Sequence, residues 1–300
     1  MSAPRLHADE ITVDHALVRA LVAAQFPQWA GLPLARVEPG GTTNAMYRLG
    51  DGLAVRLPRT AGAVGDVERE HRWLPLLAPH LPAAVPVPLG RGAPGEGYPL
   101  PWSVYRWLDG ETVAGGRVAE PALLAADLAA FLAALHRIDP DGAPVSYRGG
   151  ALAARDAGTR AAIGRLRGTV DTAAVTAAWE EALRAPAWTG PPVWIHADLQ
   201  PGNVLVAHGR LGAVIDFGCL GLGDPAVDLI AAWYLLPAGA RDVLRAGTRA
   251  DAASWARGRG WALSIALDEL WYYAETDPGM AGTARRVVGQ VLADRAHGGR

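Results

Sequence analysis

Apolar and polar positions along the chain fall into two kinds of pattern. Leu17, Val18, Leu21 and Val22 share one face of a helix expected over 14–26, with Asp14 as its N-cap. Short strand-like runs follow, broken by glycine: 34–37, the stretch Pro39-Gly40-Gly41-Thr42-Thr43-Asn44, then 45–49, the turn Gly50-Asp51-Gly52, and 53–57. A second helix is expected from Asp66, as cap, through Leu74, with Pro75 ending or kinking it. Val67, Glu70 and Leu74 are spaced i, i+3, i+7 and share its apolar face. A carboxylate on a buried face needs a partner, and Arg56 on the strand just before is the natural one. The Pro- and Gly-rich stretch 82–101 reads as surface chain, and 102–107 as a strand leaving the first region. Residues 121–136 read as a core helix carrying Leu124, Leu128, Phe131, Leu132 and Leu135, followed by a connection over 139–150. From 220 onward the chain reads as helical and rich in aromatic residues.

The most informative stretch is His196 to Asn203, HADLQPGN, followed by Asp216-Phe217-Gly218. Apolar runs at 193–195, 204–206 and 213–215, with a turn at 208–210, place it as strand, loop and hairpin. The segment offers a carboxylate at Asp198, an amide oxygen at Asn203 and a second carboxylate at Asp216. Phosphoryl transfer needs a base or orienter for the attacking hydroxyl and hard oxygen ligands for Mg²⁺ at the nucleotide phosphates. His196 reads as a residue that holds the loop by hydrogen bonds, with a direct chemical role as the alternative. Asp224, capping a turn that opens at Pro225, and Asp228 read as supports.

Composition narrows the classes. The 300 residues are 50% apolar and 19% charged, which suits a folded chain of one large or two modest domains. A formal net charge of −2 gives no basic footprint for nucleic acid, no apolar run has membrane-spanning length, and the polar N-terminus lacks a signal-peptide core. A cytoplasmic location is the expectation. The single cysteine, Cys219, rules out an intramolecular disulfide. All 28 basic residues counted as Lys or Arg are arginine. The lysine by which kinases hold nucleotide phosphates is therefore absent, and an arginine must replace it or the site lacks that cation.

Taken together, GGTTNAMYRLGDGLAVRLPR, WSVYRWLDGE and WIHADLQPGNVL through IDFGCLGLGDPAVDL resemble the aminoglycoside phosphotransferase family, the bacterial antibiotic kinases with a protein-kinase-like fold. The resemblance implies an α+β, two-lobed fold: a small β-rich lobe over 1–104, a hinge over 105–108 and a larger, mostly helical lobe over 109–300. It implies Asp198 as the catalytic Asp, Asn203 and Asp216 as Mg²⁺ ligands, and Arg56 at the place of the phosphate-binding lysine, paired with Glu70. Gly40, Gly41, Thr42 and Thr43 would approach the phosphates. Tyr105 and Trp107 would lie in the hinge that reads the purine of ATP or GTP. The implied activity is O-phosphorylation of a small hydroxylated molecule, an antibiotic of aminoglycoside or macrolide type. A metabolic kinase of choline, homoserine or a sugar-like metabolite is the alternative, and a nucleotide-binding pseudokinase the alternative of a different class. Asp268, Glu269, Trp271, Tyr272 and Glu275 combine acidic groups with aromatic faces, which suits a cationic acceptor; a solvated helix face over an aromatic core is the other reading.

Overall fold

A computed structural model describes residues 10–38, 43–113 and 118–298. The chain divides into two compact units, the first formed by Met1–Gly110 with Ala213–Gly218, the second by Glu111–Gly212 with Cys219–Arg300. Among the described residues no helix is long and apolar enough to cross a membrane.

The first unit is built on a five-stranded antiparallel sheet. Its strands are β1 (Leu34–Arg36), β2 (Asn44–Leu49), β3 (Leu53–Pro58), β4 (Pro88–Gly92) and β5 (Trp102–Arg106), in the order β1-β2-β3-β5-β4. Helix α1 (His15–Gln25) is capped by Asp14, whose carboxylate accepts from the Leu17 N–H, and it buries Val18, Leu21 and Val22. These residues join Tyr47, Leu49, Val55, Leu57, Trp102 and Val104 in one core. Strand β4 lies inside the stretch expected to wander over the surface. Its Pro and Gly content hid it, yet an edge strand tolerates both. At Gly92 a side chain is impossible, because a Cβ would sit 2.0 Å from the Trp102 ring.

Helix α2 (Val64–Leu77) starts earlier and ends later than expected. Asp66 lies in its first turn rather than at the cap, and the helix runs on past Pro75. A proline so near the C-terminus costs one hydrogen bond, and Pro75 is solvent-exposed, so the last turn survives. Glu70, Val67, Trp73, Leu74 and Leu77 form the buried face. The segment 213–218 adds to this unit through the Val214 N–H, which donates to the Ala84 carbonyl at 2.9 Å.

The second unit is mostly helical: α3 (Pro121–Leu135), α4 (Asp156–Arg165), α5 (Thr172–Arg184), α6 (Ala231–Tyr234), α7 (Ala238–Thr248), α8 (Ala252–Tyr272) and α9 (Pro278–Gly298). Small sheets hold its loops. Strands β6 (Glu111–Thr112), β8 (Val204–Ala207) and β9 (Arg210–Val214) form one, and β7 (Val193–Ile195) pairs with β10 (Gly221–Gly223) in another. Leu124, Leu128, Phe131, Leu132 and Leu135 of α3 are buried, as their spacing predicts. Helix α8 is buried along most of its length, and Gly260 lets it approach closely, since a Cβ there would meet Leu152 at 2.6 Å.

Candidate active site

In the second unit, β7 ends at Ile195 and the loop 196–203 returns into β8. Two features fix this loop. Asp228, fully buried, accepts from the Ala197 N–H at 2.6 Å, the His196 N–H at 3.3 Å and His136 Nε2 at 2.9 Å. Ala197 holds φ 64°, a left-handed conformation that costs an alanine about 1 kcal/mol. His196 is fully buried, and its Nδ1 accepts from the Asp198 N–H at 3.2 Å, which is the loop-holding role read from the sequence. The support expected of Asp224 is also present. Its carboxylate caps the turn 225–230 through the Ala226 N–H at 2.9 Å and pairs with buried Arg257 at 2.7 Å.

The Asp198 carboxylate is fully oriented. Oδ1 accepts from Arg148 Nη1 at 2.6 Å and from Gln200 Nε2 at 3.0 Å, and Oδ2 accepts from Asn203 Nδ2 at 2.9 Å. The same Asn203 nitrogen donates to the Asp198 carbonyl at 2.9 Å. With its NH₂ committed, the Asn203 amide keeps its carbonyl oxygen as the acceptor available to a cation. Gln200 also donates to Glu269 Oε1 at 2.6 Å, and the Tyr234 hydroxyl donates to Glu269 Oε2 at 2.8 Å. Glu269 thus meets neutral donors only. Burial, with the Asp198 charge adding to it, pushes its carboxyl up to about 7.

The other residues proposed from the sequence for the acceptor are paired elsewhere or exposed. Asp268 pairs with Arg155, Trp271 lies under the Arg165 guanidinium at 4.1 Å, and Tyr272 and Glu275 are exposed. Among the described residues of that set, Glu269 is hydrogen-bonded to the loop of Asp198, through Gln200. Arg148, Gln200 and Tyr234 are candidate site residues to which the sequence reading gave no such place.

In the first unit, Arg56 and Glu70 form the expected pair, with Nη1 2.5 Å from Oε1 and both groups buried. Arg56 Nη2 also reaches Asp216 Oδ1 at 2.7 Å. With the Asn44 amide oxygen turned to the guanidinium, it accepts from Nη2 at 2.9 Å and Nε at 3.2 Å. Burial pulls the guanidinium down, but Asp216 and Glu70 outweigh it and hold it well above its ordinary value. Glu70 further accepts from the Phe217 N–H at 3.0 Å and from the Tyr105 hydroxyl. Asp216 holds φ 60°, and Arg69 braces the next turn by donating to the Gly218 carbonyl at 2.5 Å.

Tyr105 is a buried residue of β5, and its hydroxyl serves Glu70. The N–H groups of Arg106 and Trp107 go to the carbonyls of Val87 and Gly52, at 2.9 and 2.8 Å, and Arg48 stacks on the Trp107 ring. Gly40, Gly41 and Thr42 lie outside the described residues, and Thr43 sits at the entrance to β2.

No curated protein matches the chain. Solved structures do. The GDP complex of wild-type aminoglycoside 2'-phosphotransferase-IIIa is 17% identical, with 94% of this chain and 100% of that one covered and a TM-score of 0.74. ADP-bound aminoglycoside phosphotransferase APH(2'')-Ib is 17% identical over 93% and 97%, with a TM-score of 0.62. Macrolide 2'-phosphotransferase MphH from Brachybacterium faecium is 24% identical over 90% and 97%, with a TM-score of 0.60. The fold is therefore the α+β protein-kinase-like fold that these proteins share. The model of the phosphotransferase enzyme family matches residues 35–261, which takes in the sheet, Arg56, Glu70, the loop of Asp198 and Asp216; the chain belongs to that family.

Proposed function

We propose that this phosphotransferase moves the γ-phosphate of ATP or GTP to a hydroxyl of a small cationic molecule, an antibiotic of aminoglycoside or macrolide type. The orientation of Asp198 carries the reading. Its Oδ1 is filled by Arg148 and Gln200, while Oδ2 takes a single hydrogen bond among the described residues. A carboxylate oxygen has a second lone pair, so Oδ2 can accept from the acceptor hydroxyl and aim its oxygen at the phosphorus. Little proton transfer is needed ahead of a loose transition state, so orientation is the larger contribution.

Asn203 and Asp216 are the residues we assign to Mg²⁺. Their oxygens are hard ligands of the kind that ion takes, and the Asn203 amide is turned with its nitrogen toward Asp198. Bound there, the ion would neutralise charge on the nucleotide phosphates. Arg56 we assign to the phosphates, with Glu70 and Tyr105 as its supports. Glu269, a carboxylate without a cationic partner among the described ion pairs, is the group that suits an acceptor ammonium. GDP and ADP in the relatives support either nucleotide, and their aminoglycoside and macrolide activities support the acceptor class.

A nucleoside-diphosphate release assay with Mg²⁺ and either ATP or GTP, run against kanamycin, gentamicin, erythromycin, choline and homoserine, tests this reading. Turnover with an antibiotic supports it, turnover with choline or homoserine alone moves the enzyme to metabolism, and none with any nucleotide marks a pseudokinase. Asp198→Ala should lower turnover at least about 100-fold with the fold intact. A variant running at the wild-type rate would sink the mechanism.

A further inference from the structure

Arg148 lies in the Pro- and Gly-rich connection 139–150, a stretch without helical or strand periodicity. Three bonds sew that stretch onto the chain just after the Asp216-Phe217-Gly218 segment, and two more close it on itself. The Ser146 N–H donates to the Leu222 carbonyl at 3.0 Å, and the Leu222 N–H donates to the Pro144 carbonyl at 2.8 Å. Ser146 Oγ donates to the Cys219 carbonyl at 2.7 Å and accepts from the Arg148 N–H at 3.2 Å. The Gly149 N–H closes the turn on the Ser146 carbonyl at 2.8 Å. Gly149 itself is packed so tightly that a Cβ would lie 2.1 Å from the Leu222 carbonyl oxygen. The frame is therefore fixed before its side chains are considered.

The frame presents one half-buried guanidinium. Arg148 Nη1 donates to Asp198 Oδ1 at 2.6 Å and to the Ala197 carbonyl at 2.7 Å. One nitrogen thus ties the reacting carboxylate to the left-handed residue beside it. The Tyr147 ring covers the guanidinium, 5.2 Å from centroid to Cζ. Burial pulls the Arg148 guanidinium down, and the Asp198 charge more than compensates, holding it above its ordinary value.

We infer that Arg148 is a positioning residue for phosphoryl transfer: it fixes the rotamer of Asp198 by filling Oδ1, which leaves Oδ2 as the oxygen that receives the acceptor hydroxyl. The inference rests on the kinase reading above and adds a residue to it. A charge-assisted bond of this length selects one carboxylate orientation out of several, and orientation is what a loose transition state asks of this group. Gln200 fills the second position on Oδ1 as a neutral donor.

The test uses the full-length protein, with the best acceptor from the panel, or with water as acceptor in basal Mg²⁺-dependent hydrolysis of GTP or ATP if the panel yields none. Arg148→Ala is expected to lower kcat about 100-fold, the scale of a misplaced reacting group, with the nucleotide KM little changed. Guanidinium chloride at millimolar concentration should restore turnover in a saturable way in Arg148→Ala and leave Asp198→Ala inactive. Arg148→Lys should keep more activity than Arg148→Ala, since a single nitrogen makes both bonds. Wild-type kcat in folded Arg148→Ala, or a loss that guanidinium does not recover, overturns the inference. Should Arg148→Ala fail to fold, Arg148→Gln takes its place under the same two criteria. The two readings fail separately. An active Asp198→Ala removes the kinase mechanism, whereas an inactive Asp198→Ala beside an Arg148→Ala of wild-type rate removes only the role of Arg148.

Discussion

Glu269 is held where burial and the Asp198 charge both oppose its ionisation, and a pH dependence of stability follows. Its folded-state value of about 7 lies above the ordinary 4.5. Below the ordinary value the carboxyl is protonated in both states and costs nothing. As pH rises toward 7 the unfolded chain releases the proton while the folded protein keeps it, so stability falls across that window and then stays level. Glu269→Gln removes the charge, and the Tyr234 hydroxyl can turn to accept from the new amide. We expect the variant to be more stable by about 2 kcal/mol at pH 8 and unchanged at pH 4, read from urea midpoints, with weaker binding of a cationic acceptor. Asp66 obeys the same sign over a lower window, since burial raises its carboxyl from 3.8 to about 6. Arg56 with Glu70 was legible in the sequence because helical spacing put a carboxylate on an apolar face one element from a strand arginine. Arg148 was not, because it lies 50 residues from Asp198 in a stretch with no periodicity to read.

Elements explain which parts of the site the pattern reveals. Strand–loop–strand geometry around Asp198 follows from two apolar runs, and β7 and β8 form where those runs stand. Strand β4 and the 144–149 turn escape notice for one shared reason: their shape comes from glycines chosen for clearance against distant groups, Trp102 in one case and Leu222 in the other. Such contacts leave no local signature. Gly149 provides the check at this scale. Gly149→Ala must push the turn off Leu222, so we expect a loss of about 1–3 kcal/mol in thermal unfolding together with reduced kcat, because Arg148 moves with the turn. Neither effect should appear at Gly150, where a Cβ meets nothing within 4 Å.

At the scale of the whole molecule, the first unit is discontinuous in sequence. Ala213–Gly218 belongs to it although the chain on either side belongs to the second. That short segment supplies Asp216 to Arg56 and the Phe217 N–H to Glu70. A fragment ending at residue 110 would leave the buried guanidinium with a single carboxylate, and we expect its amide NMR spectrum to be less dispersed than that of the same fragment with 213–218 appended. The boundaries read from sequence follow the chain in order, and no local pattern announces that a later segment returns. The arginine-only composition reaches further than fold or catalysis. Acyl phosphate reagents built on nucleotides label kinases by acylating the amine beside the phosphates, and this chain carries no side-chain amine anywhere. The group we assign to that place is Arg56, a guanidinium bracketed by two carboxylates and far too weak a nucleophile to be acylated. An enzyme of this design would turn over its nucleotide and still pass through an amine-directed covalent survey of kinases without a mark.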